Sequence, residues 1–195
     1  MKFSYTKVTN LDAGKDLADN ISNLFSNKLN VIVYNFVDML SHARTDMQVI
    51  RELADDESAY RSLTVSWFEH SPLLEIIKRI SSRNVKIVIS TDHGTIRVKE
   101  PSKIIGDKNT NTNLRYKQGK NLNYDKRDVF EIKNPVDAML PRTNLSTTFV
   151  FAKQDKFFAY PNNYNYYVNF YKNTLQHGGI SLEEVVIPII QLTNR

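Results

Sequence analysis

The sequence predicts an α/β fold, with a mostly parallel sheet flanked by helices. Three observations carry that prediction. Two short runs, NVIVYNFV at 30–37 and VKIVIS at 85–90, are apolar on both faces, as strands buried in a parallel sheet are. Between them Leu73, Leu74, Ile76, Ile77 and Ile80 recur at helical spacing. Strand, helical tract, strand is the order of an α/β unit. The chain has 195 residues, enough for one sizeable core, and it reads as a single domain without repeats or linkers.

Each element has its own signal. The opening stretch FSYTKVTNLDAG lacks an apolar run. The tract from Asp46 to Ala59 is rich in helix formers and charges. SWFEHSPLLEIIKRISSR continues as helix and ends in Ser and Arg, with His70 as a packing or surface residue. The polar stretch from Ile104 to Asp128 has little periodicity; a loop of that length is usually functional or disordered. VFEIK, TTFVFAK and FFAYP read as short strands, and the aromatic YNYYVNFYKNTLQ as helix. The end, HGGISLEEVVIPIIQL, is a glycine turn, a helical start at Ser181 and a closing strand. Ser181 and Glu184 have capping-box spacing.

Hydrophobic residues make up 41% and charged residues 24%, which places the chain among ordinary globular domains. No apolar run is long enough to span a bilayer, and the N-terminus has no apolar signal-peptide core. There are no cysteines. Disulfides and thiolate metal sites are therefore excluded, in agreement with a cytoplasmic location. The net charge of +5 is concentrated. From Arg97 to Arg127 nine basic residues, Lys108 among them, face three acidic ones. A field of that kind draws phosphates or nucleic acid, although a solvated loop has the same composition.

Three histidines have neighbours that suggest chemistry. Asp38 and His42 are four residues apart at the end of a strand, so a helix beginning there would put both on one face. Asp92 and His93 follow the second strand, and His177 precedes two glycines that let the backbone turn sharply. Capping roles for Asp38 and Asp92, and a backbone-satisfied ring for His177, are the plainer readings. Two Asp–His pairs at the C-terminal ends of predicted parallel strands favour a ligand site, because open α/β sheets bind there. Imidazole and carboxylate without thiolate suit zinc or manganese in a catalytic site.

Asp-xxx-His, then Asp-His-Gly after a strand, then a late His, resembles the metal-ligand order of the alkaline phosphatase superfamily. The wider wording is similar to the PglZ domain, close to the C-terminal effector domain of PorX-type response regulators of Bacteroidetes. The segments that carry the likeness are NVIVYNFVDMLSHART, RSLTVSWFEHSPL, TDHGTIRV, GDKNTNTNLRYKQGKNLNY, FAYPNNYNYYVNFYKNTLQHGG and SLEEVVIPII. The resemblance implies a two-metal phosphodiester hydrolase with linear or cyclic oligonucleotides as substrate class. Asp38, His42 and His177 would hold one zinc, and Asp92 and His93 the second, with manganese as the other fitting ion. Asn113, Arg115, Lys117 and Lys120 would hold the substrate's anionic backbone, and Tyr116, Tyr160 and Tyr164 are candidates to stack bases.

The implied setting is a cytoplasmic two-component system, with a receiver domain upstream, no membrane partner and a homodimer as one option. The superfamily also places an Asp ligand and a Thr or Ser nucleophile on an early strand. Thr6, Thr9 and Asp12 are near the N-terminus but lack that strand pattern. The expectation is therefore the C-terminal portion of a PglZ-like domain over 1–195, with a basic insertion at about 97–127. The nucleophile would lie upstream and the isolated chain would be inactive. The rival reading is a non-catalytic module that binds nucleotides or nucleic acid through the basic segment.

Overall fold

A computed structural model describes residues 1–107 and 110–193, so Lys108 of the basic segment lies outside the described residues. The chain forms two compact units where the sequence predicts one. The first comprises Met1–Ile89 and the chain from Ile190 onward, and the second is Ser90–Ile189. The first unit is discontinuous because the final strand returns to it, a path that no local pattern encodes.

In the first unit β1 (Phe3–Val8) runs parallel to β2 (Leu29–Tyr34), with Val8 opposite Tyr34. FSYTKV has no apolar run, yet it alternates in exposure and its ladder with β2 satisfies the backbone. Between the two strands lies α1 (Leu11–Asp19). Its N-cap Asn10 accepts a hydrogen bond from the Ala13 N–H at 2.9 Å.

The run NVIVYNFV breaks at Asn35, where α2 (Phe36–Asp46) begins. Then follow α3 (Gln48–Leu53), α4 (Glu57–Glu69) and α5 (Pro72–Ser81). The predicted continuous helix through SWFEHSPLLEIIKR is thus two helices. His70 ends α4, its Nδ1 2.8 Å from the Ser66 carbonyl oxygen. Ser71 caps α5, and Pro72 sits in the first turn, where a missing N–H costs nothing. The apolar stripe of α5 buries Ile76 with Ala18 and Ile21, and Ile32, Tyr34 and Ile80 pack around them. β3 (Ile87–Ser90) closes this part of the unit, but Val88 and Ile89 are exposed rather than buried as expected.

The second unit contains β4 (Ile96–Arg97), β5 (Glu100–Ile105), β6 (Tyr116–Gly119), β7 (Asn123–Tyr124), β8 (Val129–Ile132), β9 (Thr148–Ala152) and β10 (Lys156–Ala159). It ends in α6 (Tyr164–Tyr171), β11 (Leu175–Gln176) and α7 (Leu182–Val185). The first unit is then completed by β12 (Ile189–Leu192), which pairs with β3.

The sheets are small and mixed, which corrects the mostly parallel sheet predicted. β9 lies antiparallel between β6 and β8. β5 is parallel to β10 and antiparallel to β7, and β4 pairs antiparallel with β11. The two-sided burial of Phe149, Val150, Phe151 and Ala152 is what the sequence shows of β9, and a covered antiparallel sheet has the same signature as a parallel one. The polar stretch after Ile104 supplies β6 and β7 rather than one long loop. Its period-two signal is masked because Lys117, facing inward, is charged. Ile104, Val129, Val150, Ala152 and Phe158 form one core cluster of this unit, and Ile96, Val98 and Phe157 another.

Burial separates two substitutions in the first unit. Ile76 is 1% exposed, whereas Val49 on α3 is 64% exposed. Ile76→Ala is expected to lower unfolding free energy by about 2–5 kcal/mol. Val49→Ala is expected to change it by no more than about 0.5 kcal/mol. Chemical denaturation monitored at Trp67, which lies in the same unit, measures both.

Candidate metal centre

The chemistry-bearing residues fall into both units. In the first, α2 starts directly after β2 and carries Asp38 in its first turn and His42 one turn later. His42 Nε2 lies 3.6 Å from Asp38 Oδ1, so the two side chains share one helix face. Asn35 occupies the N-cap position, which removes the capping role considered for Asp38.

In the second unit the residues after β3 form a tight turn. Asp92 Oδ1 accepts from the His93 N–H at 3.1 Å, and Thr91 Oγ1 donates to the His93 carbonyl at 2.9 Å. Nδ1 of His93 lies 3.1 Å from the Gly94 carbonyl oxygen. With Nδ1–H donating there, Nε2 carries the lone pair, the arrangement found behind metal-bound histidines. Nε2 is also 3.8 Å from Asp92 Oδ1. The His177 ring stacks on His93, centroids 4.0 Å apart and planes 11° apart. One ring nitrogen of each lies within 4.8 Å of one on the other.

A buried ion pair lies behind these two histidines. Arg115 donates from Nε and NH2 to the two carboxylate oxygens of Glu184, at 3.0 and 2.9 Å, with side chains 0% and 1% exposed. Arg115 NH1 donates to the Lys156 carbonyl. The same carboxylate accepts the Gly179 N–H at 2.9 Å and the Ser181 N–H at 3.1 Å. The Glu184 carbonyl accepts the Gly94 N–H at 2.8 Å. Burial raises the Glu184 carboxyl pKa, but the Arg115 guanidinium, the Gly179 N–H and Ser181 outweigh it and hold the value below the ordinary one.

Two glycines are required by these contacts. A Cβ on Gly94 would overlap the Glu183 carbonyl oxygen. Gly178 has φ +101°, in the left-handed region, and packs against the Asn113 amide.

The expected substrate-binding residues divide. Asn113 donates from Nδ2 to the His177 carbonyl at 3.2 Å and accepts from the Arg115 and Tyr116 N–H groups, so it braces the histidine loop. Arg115 is committed to Glu184. Lys117 is 1% exposed, donates to the Asn111 carbonyl at 2.8 Å and sits 4.6 Å above the Tyr160 ring; burial lowers its pKa to about 8. These three are framework residues here, because their polar atoms are spent inside the unit. Lys120 is exposed and remains able to meet a phosphate. Tyr116 packs against Phe149 and Phe151, and Tyr160 under Lys117, so packing accounts for both rings. Glu184, which the sequence marks only as a capping-box residue, was missed as a partner of Arg115 because the two are far apart in the chain.

The family model described as "BREX system PglZ alkaline phosphatase-like domain" matches residues 1–192. The chain belongs to the PglZ family. PglZ membership carries a phosphoesterase-type, hydrolytic function, in an alkaline phosphatase-like superfamily that is typically metal-dependent. No curated protein matches this PglZ domain. Its donor set fits a metal: imidazole and carboxylate groups without thiolate, a His93 ring oriented through Nδ1, and a second imidazole beside it. No helix among the described residues is long and apolar enough to cross a membrane.

The close approach at Gly94 sets a test. Gly94→Ala forces the His93 turn away from Glu183 and is expected to cost about 1–3 kcal/mol of stability, the usual penalty for overpacking. A thermal unfolding temperature equal to that of the parent would show that the backbone there yields without cost.

Proposed function

We propose that this PglZ domain supports metal-dependent hydrolysis of phosphodiesters, with zinc as the ion and manganese as the alternative. The observation that carries the reading is the His93–His177 pair, stacked at 4.0 Å with His93 Nδ1 3.1 Å from the Gly94 carbonyl oxygen. By the ligand order of the superfamily, Asp38, His42 and His177 hold one ion and Asp92 and His93 the other. Bound ions of this kind offset phosphate charge and acidify water. The protein's part is to present unprotonated imidazole nitrogens and carboxylates and to hold them still. No side chain is assigned as nucleophile: Asn10 after β1 caps α1, and no Asp follows that strand directly.

The likeness of the motif segments to PorX-type effector domains supports oligonucleotides as the substrate class, a cytoplasmic response regulator as the setting and an upstream receiver domain as the partner. Lys120 is the exposed cation of the expected set and the first candidate for a phosphate contact. Burial of Arg115 and Lys117 removes two expected phosphate contacts from the oligonucleotide reading and from the rival nucleic-acid-binding module alike.

Metal content decides the reading. Purified protein dialysed against buffered zinc is expected to retain the ion, and His177→Ala to bind it at least 100-fold more weakly, since loss of a ligand exceeds the 10–100-fold cost of losing a residue behind one. Equal zinc content in parent and variant would contradict the assignment of His177.

A further inference from the structure

We infer that the buried Arg115–Glu184 pair is a positioning device for the two histidines, tying the His93 turn and the His177 loop to one carboxylate residue. The inference rests on the metal reading for its purpose, though not for its geometry. Glu184 reaches the first segment through its backbone, accepting the Gly94 N–H at 2.8 Å. It reaches the second through its side chain, accepting the Gly179 and Ser181 N–H groups on separate oxygens. Gly94 follows His93 directly, and Gly179 lies two residues beyond His177.

Capping the four-residue α7 would need only one of these contacts. A cap also has no need of a fully buried guanidinium. Arg115 occupies the outer side of both carboxylate oxygens in a planar fork, which fixes the plane in which they face the loop. Arg115 is itself held by the Lys156 carbonyl and, through its N–H, by Asn113 Oδ1 at 2.7 Å. Asn113 in turn grips the His177 carbonyl. The chain of contacts therefore runs from the His177 backbone through Asn113, Arg115 and Glu184 to Gly94 beside His93. These bonds act on the backbone of both histidines and so bear on the ring separation of 4.0 Å.

The test pairs a charge-breaking variant with a neutral one. Glu184→Gln keeps the shape but strands Arg115, so it risks misfolding. The double variant Arg115→Met with Glu184→Leu removes both charges together and keeps a buried apolar filling. For each variant that retains parental circular dichroism, two readouts are taken. The first is the imidazole proton resonances of His93 and His177, shifted in the parent by mutual stacking. Recorded in metal-free protein, His42 and His70, in the other unit, are internal references. The second is zinc affinity by competition with a chromophoric chelator.

In the double variant the His93 and His177 resonances are expected to move to unstacked positions, with His42 and His70 unmoved. Zinc affinity is expected to fall roughly 10–100-fold, the scale of losing a residue behind a ligand. Arg115→Lys, which keeps the charge but not the fork, is expected to shift the His93 and His177 resonances and weaken zinc binding in the same direction as the double variant. A folded double variant with parental histidine resonances would overturn the inference. Parental resonances that move as expected in a protein that binds no zinc would uphold the positioning role and overturn the metal reading instead.

Discussion

The second unit depends on one interaction, the fully buried ion pair between Arg115 and Glu184. Two charges taken out of water are costly, and their attraction offsets that cost only when geometry is good and the remaining hydrogen-bonding positions are filled. Both conditions are met. The guanidinium engages both carboxylate oxygens and a carbonyl, and each carboxylate oxygen accepts a further backbone N–H. Removing one partner would leave the other charged and unmatched, at a cost of about 3–5 kcal/mol. An apolar pair of the same volume would bury as well but could not accept the Gly179 and Ser181 N–H groups. The direction of those bonds fixes the loop that carries His177.

The same logic explains the residues around the pair. Functional histidines on turns are only as well placed as the turns are. At His93 the turn is fixed by Asp92, Thr91 and the Glu184 carbonyl, and Gly94 is needed because backbone fills the space a side chain would take. At His177 it is fixed by Asn113 and the Glu184 carboxylate, with Gly178 in a conformation that other residues adopt at a cost. Sequence order brings none of these together; β4 pairing with β11 does, since those strands lead out of the His93 turn and into the His177 loop. The two histidines thus sit on irregular backbone that a short antiparallel pairing holds in register.

Much of this was legible in the sequence, and the failures have physical causes. The Asp38–His42 pair was readable because four-residue spacing on a helix has one geometric outcome. The glycines after His177 announced a sharp turn, and Gly178 makes one. The burial of Arg115 and Lys117 was not legible because composition records a charge but not its partner, and Glu184 lies 69 residues from Arg115. β1 was missed because its stability lies in a parallel ladder with β2 rather than in apolar content. The mixed sheets were missed because antiparallel strands covered on both faces look in sequence like parallel ones. Where a signal was local the sequence carried it; where a long-range contact decided the outcome it did not.

The central claim is that one residue holds both histidine segments, so the segments must open together. Native-state hydrogen exchange at the Gly94, Gly179 and Ser181 amides measures this directly, since all three N–H groups are bonded to Glu184. The account predicts one shared opening free energy for the three amides, with the same dependence on denaturant at each. Exchange of Gly94 with an opening free energy different from that of Gly179 and Ser181 would contradict it.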